Sequence, residues 1–163
     1  GRPEAAVTVS RTRDVLGLTA FVVLCFGVSA LGGRATLPAL AEWYPALRKP
    51  PWTPPGWVFG PAWTLLYPVI AVAGWMAWRE GRARFGPLLF LLQLALNAAW
   101  PWLFFAERRL DLALACIVAL CLAILGTIVA FWRSSRGAAI LLVPYLAWVG
   151  FAAALNHAIW RLN

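Results

Sequence analysis

The sequence predicts an all-α membrane protein, a five-transmembrane-helix bundle with a long proline/aromatic-rich first loop acting as a lid. Three observations predict it. First, the 163 residues are 63% hydrophobic and only 12% charged, with a mean hydropathy of +0.76, whereas soluble domains carry about 25% charged residues. A chain this short cannot hide so much apolar surface from water, which excludes a soluble enzyme, and the same figures exclude disorder. Second, the apolar residues fall in five runs without a formal charge, each of about 20 residues, the length a helix needs to cross hydrocarbon. Third, the connections between the runs are short except for one.

Residues 1–14 are polar, basic and too short to fold alone; without an initiator Met they read as a trimmed end, and a targeting role stays open. The spans follow at 15–33, 57–78, 85–105, 112–132 and 138–160, and together they form one transmembrane domain, 15–163. The first span lacks the small-residue cleavage site of a signal peptide. Between it and the second lies the loop 34–56, with Pro38, Pro45, Pro50, Pro51, Pro54 and Pro55 beside Trp43, Tyr44 and Trp52. These prolines block helix and favour extended chain. Its aromatic rings are costly to leave in water, so the loop is expected to fold back over the helix ends. Pro61 and Pro68 in the second span, Pro101 in the third and Pro144 in the fifth are expected to bend their helices. Five crossings divide the basic residues eight to six, favouring an inward-facing N-terminus. The protein is expected to be integral and multi-pass, in a membrane that the sequence does not identify.

Antiparallel spans fix the depth of each polar group. Ser29, Thr64, Gln93, Asn97, Asn156 and His157 all fall at mid-membrane or on the side of the long loop, and only Thr19 and Thr127 lie toward the other side. Polar side chains in hydrocarbon need a partner, so this convergence reads as a pocket under the loop; the alternative is interhelical glue. Most of the 11 tryptophans lie near span ends, as an interfacial belt would. Trp148 lies near the bilayer centre, where its N–H needs a partner, Trp63 is intermediate, and Trp43 and Trp52 sit in the loop. Flat apolar walls with indole donors suit a large planar ligand. Ala152, Ala153 and Ala154 leave room beside Trp148, or serve close helix packing.

Other chemistry is sparse. All six acids lie in loops or at span ends, which argues against proton-driven transport. His157 is the lone histidine, so a metal site and a Ser-His-Asp arrangement both lack parts, and no metal, nucleotide or hydrolase site is expected. Cys25, Cys116 and Cys121 read as small buried hydrophobes. Basic residues scattered between apolar runs fit lipid contact and topology, and nucleic acid is not an expected partner.

Four ordered motifs resemble those of the translocator protein / tryptophan-rich sensory protein (TspO/MBR) family. WYPALRKPPWTPP (43–55) is similar to its first-loop signature and GPAWTLLY (60–67) to its second-helix motif. QLALNAAWP (93–101) with Phe104 and Phe105 resembles the third helix; PYLAW (144–148), Leu155-Asn156 and Trp160-Arg161 resemble the fifth. The resemblance implies a five-helix bundle, usually a homodimer, that binds porphyrins and in many members sterols or drug-like aromatics. It puts Tyr44, Trp52, Trp63, Asn97, Trp148, Ala152, Leu155 and Asn156 at pocket positions. Some bacterial relatives degrade protoporphyrin under light and oxygen, and the tryptophans implicated match Trp63 and Trp148. No obligatory cofactor follows; porphyrin enters as ligand or substrate.

Departures from the family pattern matter. His157 stands where the sterol-associated segment has Tyr, which argues against sterol recognition. Leu88 and Leu92 replace the GxxxG stripe, moving a dimer contact elsewhere, to the neighbourhood of Ala95 and Ala99. Leu112 replaces a Trp at the start of the fourth span. The leading reading is a receptor or sensory protein for tetrapyrroles and other flat hydrophobic ligands, with a role in their transport or regulation. In it, Arg48 and Lys49 attract the ligand's propionates or stand as solvated loop cations. The alternatives are a light- and oxygen-dependent porphyrin-degrading enzyme using Trp63 and Trp148, and a sterol or lipid carrier or membrane scaffold.

Overall fold

A computed structural model describes residues 2–81 and 85–163, with side chains from Arg11 onward. Arg82 and Arg84, which enter the charge count above, lie outside the described residues. Among those described there is no strand. The order is α1 (Arg2–Ala41), α2 (Trp43–Ala46), a 3₁₀ turn (Gly56–Val58) and α3 (Phe59–Glu80). Then come α4 (Gly86–Pro101), a π turn (Trp102–Ala106), α5 (Leu110–Trp132), α6 (Arg136–Leu141) and α7 (Val143–Leu162). Five stretches are long and apolar enough to cross a membrane: 11–41, 56–80, 86–106, 110–132 and 136–162.

Two boundaries differ from expectation for physical reasons. The first helix runs well past 15–33, and the first eight residues of the expected loop belong to it. Pro38 removes only one backbone donor, and the last turns are held by packing: Ala35 and Ala39, four apart, are buried, Ala39 in the cluster with Phe104 and Phe105. At the other end Pro3 falls in the first turn, where its missing N–H costs nothing. The fifth span is two helices, not one. Pro144 cannot donate to the carbonyl four residues back, and the helix breaks at Leu142. In the third span Pro101 likewise ends the α geometry, and the chain continues as the π turn.

The bundle is a closed ring. α1 packs between α3 and α4, α5 packs between α4 and α7, and α6 and α7 return to α3. Its tightest core is built from Ile70, Ala71 and Ala73 of α3, Leu94 of α4, Ile117, Leu120 and Ile124 of α5, and Leu142, Tyr145 and Val149. Outward stand Leu65, Leu88, Leu122 and Val129, more than half exposed, as expected of a face turned to lipid tails. Cys25 and Cys116 are buried, Cys121 is half-buried, and all three are free thiols.

Close approach of α1, α3 and α4 depends on Gly74. A Cβ there would stand 2.6 Å from Phe90 Cζ and 2.8 Å from Phe21 Cε1, two rings that meet edge to face. Gly74→Val is therefore expected to lower the thermal midpoint in detergent by roughly 5 °C, from about 2 kcal/mol of overpacking. A scanning calorimeter checks it; an unchanged midpoint would show that the rings move aside.

Candidate functional site

A cavity of about 420 Å³ occupies the half of the bundle nearer the first loop. The sequence opens it by bending helices. Pro101 and the π turn redirect the end of α4 so that Phe104 and Phe105 point inward and are buried. Gly32 lets α1 approach this bend, with Pro101 Cγ 3.3 Å from where a Cβ would lie. Ser29, Gly32, Thr36 and Leu40 of α1 form one wall; Gly60, Trp63, Thr64 and Tyr67 of α3 form the next. α4 supplies Asn97 and Trp100, and α7 closes the far side with Trp148, Ala152, Leu155 and Asn156. Tyr44 of α2 lies at the roof.

The walls are aromatic. Trp63 lies 5.4 Å from Tyr67 and 6.3 Å from Tyr145, centroid to centroid. Trp148 lies between Phe59 (5.8 Å) and Phe151 (5.7 Å). Trp100 packs at 5.2 Å on Phe104, and Tyr44 at 5.8 Å on Phe105. Such ring pairs hold one another rigidly, so the cavity is largely pre-formed. The indole N–H of Trp148 is buried with no partner, a donor for which a bound acceptor would be a natural complement.

Behind these walls runs a chain of hydrogen bonds. Tyr67 Oη donates to Asn97 Oδ1, Asn97 Nδ2 donates to Tyr145 Oη, and Tyr145 Oη donates to Gln93 Oε1, each at 2.7 Å. Asn156 accepts from Trp100 Nε1 and donates to the Leu110 carbonyl, both at 3.0 Å. Both asparagines face the cavity, yet each amide is spent on its neighbours. Glue and pocket, offered by the sequence as alternatives, are here the same residues: the amides fix the walls, and the walls leave apolar, aromatic surface for a ligand.

The structure brings together Tyr44, Trp63, Asn97, Trp148, Ala152, Leu155 and Asn156, all lining one cavity. It places Trp52 elsewhere: half-exposed, edge-on to Phe151 at 5.9 Å and outside the cavity. The cause is a tight turn, in which Thr53 donates to the Pro50 carbonyl from both N (3.0 Å) and Oγ1 (2.7 Å) and carries Trp52 outward. His157 has the depth that the sequence gives it but does not join the pocket: it is exposed on the outer face, 6.0 Å from Trp160, as an interfacial polar residue near the end of the helix would be. Gln93 is buried behind the wall and reaches it only through Tyr145. Lys49 is not a free cation for propionates, because Nζ donates to the carbonyls of Tyr44 (2.7 Å), Pro45 (3.1 Å) and Leu47 (2.9 Å). Burial raises the Tyr44 phenol above its ordinary range, so it stays protonated at neutral pH.

Sequence reasoning missed Tyr67, Tyr145, Trp100, Phe104 and Phe105. Helical spacing held the signal: Tyr67 lies four residues after Trp63, Trp100 three after Asn97, and Tyr145 three before Trp148, each on the same face.

The TspO/MBR family profile matches residues 21–161. The tryptophan-rich protein TspO of Archaeoglobus fulgidus is 40% identical over 152 residues, covering 92% of this chain and 99% of that protein. The translocator protein of Sus scrofa is 42% identical over 145 residues, 83% of this chain and 86% of its own length. A tryptophan-rich sensory protein of Cereibacter sphaeroides is 39% identical over 140 residues, 83% and 88% of the two chains. With its five spans, this integral, multi-pass membrane chain belongs to the TspO/MBR family.

Proposed function

We propose that the protein is a membrane receptor or sensory protein that binds porphyrins, or similarly flat hydrophobic ligands, in the cavity under its first loop. A role in tetrapyrrole transport or regulation follows from that binding. The observation that carries the reading is the cavity itself: about 420 Å³ among the spanning helices, faced by Trp63, Trp100 and Trp148 and with Tyr44 at its roof. Flat rings stack on such faces, and the site lies where a hydrophobic ligand dissolved in lipid would meet it. The relatives' names, translocator protein and tryptophan-rich sensory protein, support a transporting or sensing role. Titration with protoporphyrin IX, followed by quenching of tryptophan fluorescence, tests it. Saturable quenching at a one-to-one ratio is the expected result; unsaturable partitioning would count against the site.

A second reading, light- and oxygen-dependent degradation of the bound porphyrin, is favoured by the placement of Trp63 and Trp148 in the same cavity. The excited macrocycle would take an electron from an adjacent indole, and oxygen would trap the product. Under illumination, Trp148→Phe is then expected to slow loss of the porphyrin absorption bands several-fold at equal occupancy. Equal bleaching in both proteins would mean that the chain only holds the dye.

A further inference from the structure

We infer that Asn163 is a positioning residue for the roof of the cavity: its amide ties Arg48 to the end of α7 and, through Lys49, sets Tyr44 in place. The inference rests on the ligand occupying the cavity as proposed above. Asn163 Oδ1 accepts from the Arg48 backbone N–H at 3.0 Å, and Asn163 Nδ2 donates to the Arg48 carbonyl at 3.0 Å. The same Nδ2 donates to the Ile159 carbonyl at 2.8 Å, which anchors the amide on the last turn of α7. One side chain thus satisfies both backbone groups of a loop residue and fixes them to a helix. Only a carboxamide carries the adjacent donor and acceptor that this needs.

The tie is passed on by the next residue. Lys49 Nζ spends its protons on the carbonyls of Tyr44, Pro45 and Leu47 and lies 4.9 Å from the centre of the Tyr44 ring. Tyr44 in turn lines the cavity and packs on Phe105. The loop needs such a tie because Pro50, Pro51, Pro54 and Pro55 remove the donors that a backbone ladder would use. Both bonds to Arg48 are exposed to solvent, so each is modest and the tie is reversible.

Protoporphyrin IX release is measured by stopped flow in nanodiscs for the wild type, Asn163→Ala, Lys49→Met and the double variant. Hydrogen exchange of the Arg48 amide is measured on the same samples. Loss of the two hydrogen bonds to Arg48, out of the three that the amide makes, is expected to speed Arg48 exchange and porphyrin release about tenfold in Asn163→Ala. If Asn163 acts through Lys49, the double variant releases no faster than about twice the faster single variant. Multiplying effects would instead assign the two residues separate roles and overturn the inference, as would faster Arg48 exchange with unchanged release. A cross-linked variant, Arg48→Cys with Asn163→Cys, guards against misfolding: oxidised it is expected to release more slowly than wild type, and reduced as fast as Asn163→Ala. Indifference of release to oxidation would again overturn it. If the wild type fails to bind porphyrin, the functional reading falls and takes the ligand part with it, while Arg48 exchange still decides whether the tie exists.

Discussion

Protoporphyrin IX is expected to bind roughly a hundredfold more weakly when Trp63 and Trp148 are both replaced by alanine, from about 1–3 kcal/mol of stacking lost at each wall. The two indoles stand on different helices, α3 and α7, and both line the cavity. Each leans on rings that stay in place, Tyr67 for one and Phe59 and Phe151 for the other, so the substitution empties a wall without collapsing it. Trp132→Ala supplies the comparison. That indole is half-exposed on the opposite side, beneath the Arg136 guanidinium, and its loss is expected to change affinity less than about twofold, as for scattered surface sites. Fluorescence titration of the two proteins side by side checks the contrast. Equal weakening in both would place the ligand on the interfacial belt instead.

The second large effect is on stability. Asn97→Leu is expected to lower the thermal midpoint in detergent by roughly 5–10 °C, from about 2–3 kcal/mol. The leucine would leave Tyr67 Oη without its acceptor and Tyr145 Oη without the donor it accepts from, both on buried side chains. Hydrogen bonds in membranes are individually worth about 1 kcal/mol, so the size of the effect comes from losing two bonds at once and orphaning the buried Tyr67 hydroxyl, while Tyr145 Oη keeps only its bond to Gln93. Circular dichroism on heating measures it. A midpoint within about 1 °C of wild type, against the loss argued from the hydrogen-bond values, would show that the chain of amides and phenols carries little.

How legible the site was depended on which residues are tied to a helix. Depth along a regular helix is simple arithmetic, so the sequence alone puts Asn156 on the long-loop side, Asn97 and Trp148 near mid-membrane and Trp63 between these levels, and the four share a cavity. Rotation about the helix axis is harder to read: His157 has the right depth and the wrong face. Loop residues have neither coordinate. Trp52 lies in the family's own loop motif, yet a local turn at Pro50–Thr53 sends it outside. Lys49 reads as a loose cation because nothing in sequence shows that its neighbours' carbonyls converge on it. Proline, too, misleads when packing opposes it: Pro38 promises a break, and the buried face of Ala35 and Ala39 holds the helix through it.

Whether a flat ligand lies between α3 and α7 can be read most directly with 5-fluorotryptophan incorporated throughout and each resonance assigned by substitution. On titration with protoporphyrin IX, the signals of Trp63, Trp100 and Trp148 should shift and saturate together, while those of Trp132 and Trp160 hold still. Shifts confined to Trp132 and Trp160, with Trp63 and Trp148 unmoved, would contradict an internal site.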